Sequence, residues 1–155
     1  MQNQEISRQL QKLNQLIKDT QKACGEQIEL QNEWATYLCI VSAGLIENAL
    51  HEIYTDYVKQ SSSGPVTRFA LCAFNKISNP KTKTFVEVAR IGKEEWARDL
   101  ENYVGEKGRK EAIDTIMNNR HQIAHGKNSS ITVSQINDYL KRSVEVLDFI
   151  EQQCL

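Results

Sequence analysis

Two histidines and an arginine stand close together in the segment NNRHQIAHG, residues 118–126. On a helix, Arg120 shares a face with Ile116 and Ile123, so its guanidinium emerges beside an apolar stripe and needs a partner. A planar guanidinium suits a carboxylate or a phosphate, because either group can accept two parallel hydrogen bonds. Taken alone, Arg120 is explained equally well by a structural salt bridge to a neighbouring helix.

His121 and His125 are four residues apart, which places both imidazoles on one side of the last helical turn. Imidazole has an ordinary pKa of about 6.5, so it can take or give a proton near neutral pH. Beside an arginine that holds a phosphate, it is a candidate general acid or base for phosphodiester chemistry. We therefore predict Arg120, His121 and His125 as catalytic residues, with Asn119 and Lys127 as substrate-binding neighbours.

The spacing of the two histidines also suits a metal ion. However, HxxxH supplies only two ligands, and the glutamate of the metalloprotease motif HExxH is missing here. The third histidine, His51, belongs to a different predicted helix, where we expect a surface or boundary position. The sequence therefore predicts neither a metal nor another cofactor.

Apolar periodicity predicts that an all-α bundle positions these residues, since strand-like alternation is nearly absent. A first helix ends near Gly25, and a long second helix runs from about residue 28 to 60 and stops at SSSGP, residues 61–65. Ser42, Ala43 and Gly44 are small residues in its middle that allow close helix packing. The residues predicted to face inward on this long helix are Trp34, Leu38, Val41, Leu45, Leu50, Ile53 and Tyr57.

The rest of the chain divides into shorter segments. Residues 65–105 contain two or three short apolar runs, each typical of a short helix. The next helix carries the 118–126 segment and ends at Gly126, a residue type favoured just past a helix C-terminus. Thr132 and Gln135 have the spacing of a capping box, which predicts the start of the last helix. The candidate site therefore lies on the penultimate helix.

Length and composition indicate a single compact domain spanning residues 1–155. The formal net charge is −1, with 19 Lys and Arg against 20 Asp and Glu, so any nucleic-acid binding requires a local patch. The four cysteines form no CxxC pair and are typical of reduced thiols in a cytoplasmic protein. The N-terminal segment lacks an apolar signal core, and the uncharged run at 34–46 falls short of the ~20 residues that span a bilayer.

Two further features bear on the site. Residues 107–127 carry five basic side chains against two acidic ones, a local balance that can attract a phosphate backbone, although a solvated helix face is the commoner explanation. Glu47 lies among mostly apolar positions of the long helix, where it could pair with Arg120 and contribute to substrate binding. It could equally reach water at the edge of the bundle. The five basic residues are Lys107, Arg109, Lys110, Arg120 and Lys127.

The segment RHQIAHG resembles the RxxxxH motif of the HEPN superfamily of small helical domains. It is nearest to the RiboL-PSP type, in which an ending similar to IAHG is usual. Arg120 and His125 occupy the two defining positions. His121 stands where many members have Asn or another polar residue, so the resemblance leaves open whether His121 takes part in catalysis or only orients the substrate. The expected architecture agrees, with a long early helix, short helices between, and the motif on the penultimate helix.

The resemblance implies a metal-independent endoribonuclease, with the ribose 2′-OH as nucleophile and 2′,3′-cyclic phosphate and 5′-OH ends as products. It implies a toxin or phage-defence effector that acts as a homodimer with facing motifs, and it allows for a cognate antitoxin or defence-system partner. In this scheme His125 transfers the proton and Arg120 neutralises charge on the phosphoryl oxygens. Two alternatives stay open: a catalytically silent HEPN-like module that binds RNA, nucleotide or a partner protein, and a plain helical interaction protein.

Overall fold

The computed structural model describes residues 2–155, and within that range the chain forms seven helices and no strand. The all-α class is therefore confirmed, as is the long second helix. The bounds are α1 Gln4–Cys24, α2 Ile28–Ser61, α3 Gly64–Phe74, α4 Thr82–Gly92, α5 Glu94–Gly105, α6 Arg109–Ala124 and α7 Val133–Gln153.

Helix ends follow from local chemistry. The Asn3 side chain accepts hydrogen bonds from the backbone N–H groups of Glu5 and Ile6, which have no partner within α1. Thr132 and Gln135 form the predicted capping box at the start of α7, each side chain accepting from the other residue's backbone N–H. These caps fix where α1 enters the bundle and where α7 begins.

The second helix is the centre of the bundle and contacts α1, α3, α6 and α7. Leu38, Ile46 and Leu50 are fully buried along it, and burial of each such side chain contributes about 1.5–3 kcal/mol. Of the residues predicted to face inward, four are buried and three are half-buried. The buried ones are Leu38, Leu45, Leu50 and Ile53, and the half-buried ones are Trp34, Val41 and Tyr57.

The small residues of α2 do not all serve close packing. Ser42 and Ala43 are buried. Gly44 instead lies on the exposed side, where an added Cβ would meet nothing within 4 Å.

Between α2 and α6, the predicted short helices number three: α3 lies against α2, while α4 and α5 pack on each other and on α6.

Helix α6, which carries the candidate site, is anchored along its inner face. Ile113, Ile116 and Met117 are fully buried in the core. The Cys39 thiol of α2 donates to the Ile116 carbonyl at 3.6 Å, and burial raises the pKa of this thiol to about 11, so it stays protonated. The Asp114 carboxylate accepts from the backbone N–H of Thr82 at 2.8 Å and ties α6 to the start of α4.

The basic patch predicted for residues 107–127 does not include Arg109. The Arg109 side chain points into the structure and is only 5% exposed. It donates to Glu145 at 2.9 Å and to the Tyr103 carbonyl at 3.0 Å, and it lies 3.8 Å above the Tyr103 ring. Lys107 and Lys110 lie near the same end of α6, and the helix is about 24 Å long at 1.5 Å per residue. The patch is therefore not one continuous surface beside the motif.

None of the helices between residues 2 and 155 combines the length and apolar character needed to cross a membrane. All four cysteines are free thiols, of which only Cys72 is fully exposed.

Replacing Arg109 by alanine tests its structural role. We expect Arg109→Ala to lower the free energy of unfolding by about 2 kcal/mol, since it removes the packing on Tyr103 and leaves Glu145 without its partner. Urea denaturation followed by circular dichroism measures this loss. The matched control is Arg98→Ala, which removes a solvent-exposed pair with Asp99 and should cost less than about 0.5 kcal/mol. Equal losses for both variants would contradict the structural assignment.

Candidate active site

The C-terminal end of α6 is a complete Schellman motif that fixes the position of His125. His125 is the C-cap, and Gly126 follows in the left-handed region at φ +69°. The N–H of Lys127 donates to the Gln122 carbonyl at 2.9 Å, and that of Gly126 donates to the Ile123 carbonyl at 3.0 Å. The helix therefore stops directly after Ala124 and leaves His125 at its end.

The two imidazoles of the motif are in contact. Their ring centroids are 4.4 Å apart with an interplanar angle of 65°, an edge-to-face arrangement. Both His121 and His125 are exposed to solvent. The spacing of four residues predicts that they share one side of the helix, and the structure adds that the rings touch. Two groups able to transfer protons therefore lie side by side where a substrate can reach them.

Arg120, one residue before His121, is half-buried. Its guanidinium takes part in no hydrogen bond or ion pair with any residue from 2 to 155. A guanidinium without a protein partner is available to an anion, which can accept two parallel hydrogen bonds from it.

Asn119 and Lys127, predicted to bind substrate, occupy different settings. Asn119 is buried, its amide donates to the Thr115 carbonyl at 2.9 Å, and its carbonyl accepts from the Ser129 hydroxyl at 2.7 Å. This side chain ties the loop after α6 back to the helix. Lys127 is exposed directly after the left-handed glycine and keeps a positive charge near the motif.

Glu47 does not pair with Arg120. Its carboxylate accepts from the backbone N–H of Asn79 at 2.6 Å, while the Asn79 amide donates to the Met117 carbonyl at 3.2 Å. Asn79 therefore links α2 to α6 one turn before His121, a role that sequence reasoning missed. The dipeptide Asn79-Pro80 signals a turn in the sequence, and Asn79 has the positive φ, +50°, that asparagine tolerates.

His51 lies apart from the motif. Its Nε2 lies 2.9 Å from the Asn75 side-chain oxygen, so it joins α2 to the segment after α3. Residues 2–155 contain no cluster of three or more His, Cys, Asp or Glu side chains that could hold a metal ion. The chemistry available at the end of α6 is therefore that of two imidazoles and one guanidinium.

Comparison with known proteins identifies the class to which this fold and site belong. The family model described as RiboL-PSP-HEPN matches residues 2–155, nearly the whole chain. The chain therefore belongs to the RiboL-PSP-HEPN family, a group generally associated with ribonuclease activity. No curated protein and no solved structure matches the chain significantly.

Replacing Gly126 tests the geometry that places His125. Gly126→Ala should lower the free energy of unfolding by about 1 kcal/mol, because its φ of +69° disfavours any side chain although nothing lies within 4 Å of the added Cβ. Gly126→Asn should lose less, since asparagine tolerates this region. Thermal and urea unfolding measure both.

The control is Gly105→Ala, at an equally open position without a positive φ, where we expect little change. Identical losses at positions 126 and 105 would show that the left-handed backbone does not set the end of α6.

Proposed function

We propose that the chain is a metal-independent endoribonuclease with its active site at the C-terminal end of α6. The observation that carries the proposal is the contact between two exposed imidazoles at the end of α6, next in sequence to Arg120, whose guanidinium has no partner among residues 2–155. A phosphodiester needs both a cation for its oxygens and groups that move protons, and these three side chains supply them.

In the proposed reaction the ribose 2′-oxygen attacks the adjacent phosphorus, and the bond from phosphorus to the 5′-oxygen breaks. His125 accepts the proton of the 2′-OH, and a second acid gives a proton to the departing 5′-oxygen. His121 is the neighbouring candidate for that acid, with its ring 4.4 Å from that of His125. Arg120 holds the phosphoryl oxygens as their charge increases. The products are a 2′,3′-cyclic phosphate and a 5′-OH, so DNA, which lacks the 2′-OH, is not cleaved.

The mechanism predicts loss of RNA cleavage when either defining residue is replaced. With total RNA in EDTA, His125→Ala should reduce the rate about 10²–10⁴-fold, because it removes proton transfer. Arg120→Ala should reduce it about 10²–10³-fold, through loss of charge stabilisation. Gel analysis of RNA and of a DNA of matching sequence measures this, and mapping of the ends identifies the cyclic phosphate.

The matched control is His51→Ala, which removes the histidine outside the motif and should cleave like the parent protein. Unfolding curves must show that all the variants are folded. If folded parent protein binds RNA in a filter assay but does not cut it, the silent binding module is the better hypothesis. If His125→Ala cleaves as fast as the parent, the assignment of His125 is wrong.

We further propose that two copies of the chain associate and present two motifs to one RNA. The support is an exposed apolar surface on the N-terminal half of α2, here called the α2 strip and formed by Tyr37, Ile40 and Gly44. Tyr37 is 51% exposed and Ile40 is 44% exposed, and Gly44 leaves open space beside them. The strip lies within an uncharged run, residues 34–46, and has the spacing of one helix face.

Helix α2 itself lies between the α2 strip and the motif. Cys39, which contacts Ile116 of α6, is on the side of α2 turned away from the strip. A second copy seated on the strip is therefore separated from the first motif by the width of α2. A glycine on such a face lets the backbone of a partner helix approach closely.

Replacing Ile40 by arginine should shift the protein from dimer to monomer, because it puts a charge at the centre of the apolar strip. Sedimentation velocity across a dilution series measures this, and RNA cleavage should fall with the dimer fraction. Ile91→Arg is the control, since Ile91 is 79% exposed on α4 outside the strip. A parent protein that stays monomeric at every concentration contradicts the dimer, whereas the cleavage assay with His125→Ala tests the chemistry independently.

We place this activity in the cytoplasm, where RNA is available and free thiols stay reduced, as that of a toxin or phage-defence effector. The imidazoles of the motif are exposed, so the described part of the chain does not itself shield them. An antitoxin or another defence-system partner would then supply the restraint.

A further inference from the structure

The contact between His121 and His125 has a chemical consequence beyond proton transfer. Neutral imidazole is the commonest protein ligand for transition-metal ions. Two imidazoles one turn apart on a helix can bind one ion together if their nitrogens converge. With zinc–nitrogen bonds of ~2.1 Å, two ligands at a tetrahedral angle lie about 3.4 Å apart. The ring centroids of His121 and His125 are 4.4 Å apart, so rotation of the two side chains, without backbone movement, can bring two ring nitrogens to that distance.

The surroundings of the pair favour a reversible site over a permanent one. No third His, Cys, Asp or Glu of residues 2–155 joins the pair, so water must complete the coordination. Structural zinc sites use four protein ligands, and catalytic ones use three. A two-ligand site holds its ion less tightly and exchanges it more readily, which suits inhibition by a metal ion and not a resident cofactor.

Ligand chemistry also selects the metal. Imidazole is a borderline ligand that suits zinc and copper, whereas magnesium and calcium prefer oxygen ligands. The Irving–Williams order places copper(II) above zinc. Arg120 and Lys127 flank the pair in sequence, and their positive charges oppose a cation. This repulsion acts on every divalent cation, and magnesium and calcium also lack carboxylate ligands at the pair.

We propose that His121 and His125 chelate a zinc or copper(II) ion and that this binding reversibly blocks the RNA-cleaving site. The ion occupies the nitrogen lone pairs that would otherwise accept a proton, so bound metal stops proton transfer without any change in fold. The inhibitory effect rests on the ribonuclease function proposed above, whereas metal binding itself does not.

Isothermal titration of the untagged protein with zinc chloride, copper(II) chloride and magnesium chloride tests the binding. A Cys72→Ser background removes the exposed thiol, which could bind zinc by itself. We expect one zinc or copper(II) ion per chain, tighter binding of copper(II), and no binding of magnesium. His121→Ala and His125→Ala should each weaken zinc binding about a hundredfold, because a single ligand loses the gain from the tethered second one.

His51→Ala is the matched control, since His51 lies in α2 and is hydrogen-bonded to Asn75. This variant should bind zinc like the parent protein. Zinc binding that is unchanged in both motif variants, or absent from the parent, overturns the chelate. A second measurement follows RNA cleavage with added zinc, which should stop the reaction, and then with EDTA, which should restore it. If zinc binds at the pair and cleavage continues, metal control of the site is refuted although the chelate stands.

Discussion

The packing of the apolar face of α6 against α2 is the constraint on which the candidate site depends. Ile113, Ile116 and Met117 are fully buried there, and truncation of one such residue to alanine typically costs 2–5 kcal/mol. This burial fixes the rotation of α6 about its own axis. Because the rotation is fixed, Arg120 emerges at the edge of the core while His121 and His125 face solvent. A rotation of one residue, about 100°, would bury an imidazole or expose an isoleucine.

Polar contacts then fix α6 along its length. Arg109 ties its first turn to Tyr103 and Glu145, and Asp114 holds the start of α4. Near the motif, Asn119 binds the following loop through Ser129. The left-handed Gly126 completes this arrangement by ending the helix at a defined residue. The reactive groups are exposed, but the backbone that carries them is held on several sides, as precise positioning of catalytic groups requires.

The parts of the structure that could be predicted from sequence are those that depend on local periodicity. The long α2, the end of α6 shortly before Gly126 and the Thr132 capping box follow from apolar spacing and from residues with known positional preferences. Arg120, His121 and His125 could be singled out because their types and spacing carry the chemistry. That the two rings touch could not be predicted, because side-chain rotamers depend on neighbours that spacing does not specify.

What could not be predicted depends on contacts between distant residues. Arg109 counts as one positive charge in any sequence patch, yet its side chain is buried against Tyr103 and is not available to a phosphate. Glu47 has the negative charge that could pair with Arg120. Its carboxylate instead accepts a hydrogen bond from the backbone N–H of Asn79, 32 residues later. In each case the partner of a charged side chain lies outside its own helix, so composition and spacing alone cannot assign that partner.

The guanidinium of Arg120 has no protein partner among residues 2–155, while nearby polar groups in the sequence of α6 and the carboxylate of Glu47 are engaged elsewhere. The Glu47 carboxylate of α2 is engaged by Asn79, and the Asn119 amide on α6 is engaged by Thr115 and Ser129. Neither group has to reach across to the guanidinium to satisfy its own hydrogen bonds. A cation that no neighbouring side chain neutralises remains available to pair with an external anion. This division separates the groups that hold α6 in place from the groups that remain available for chemistry.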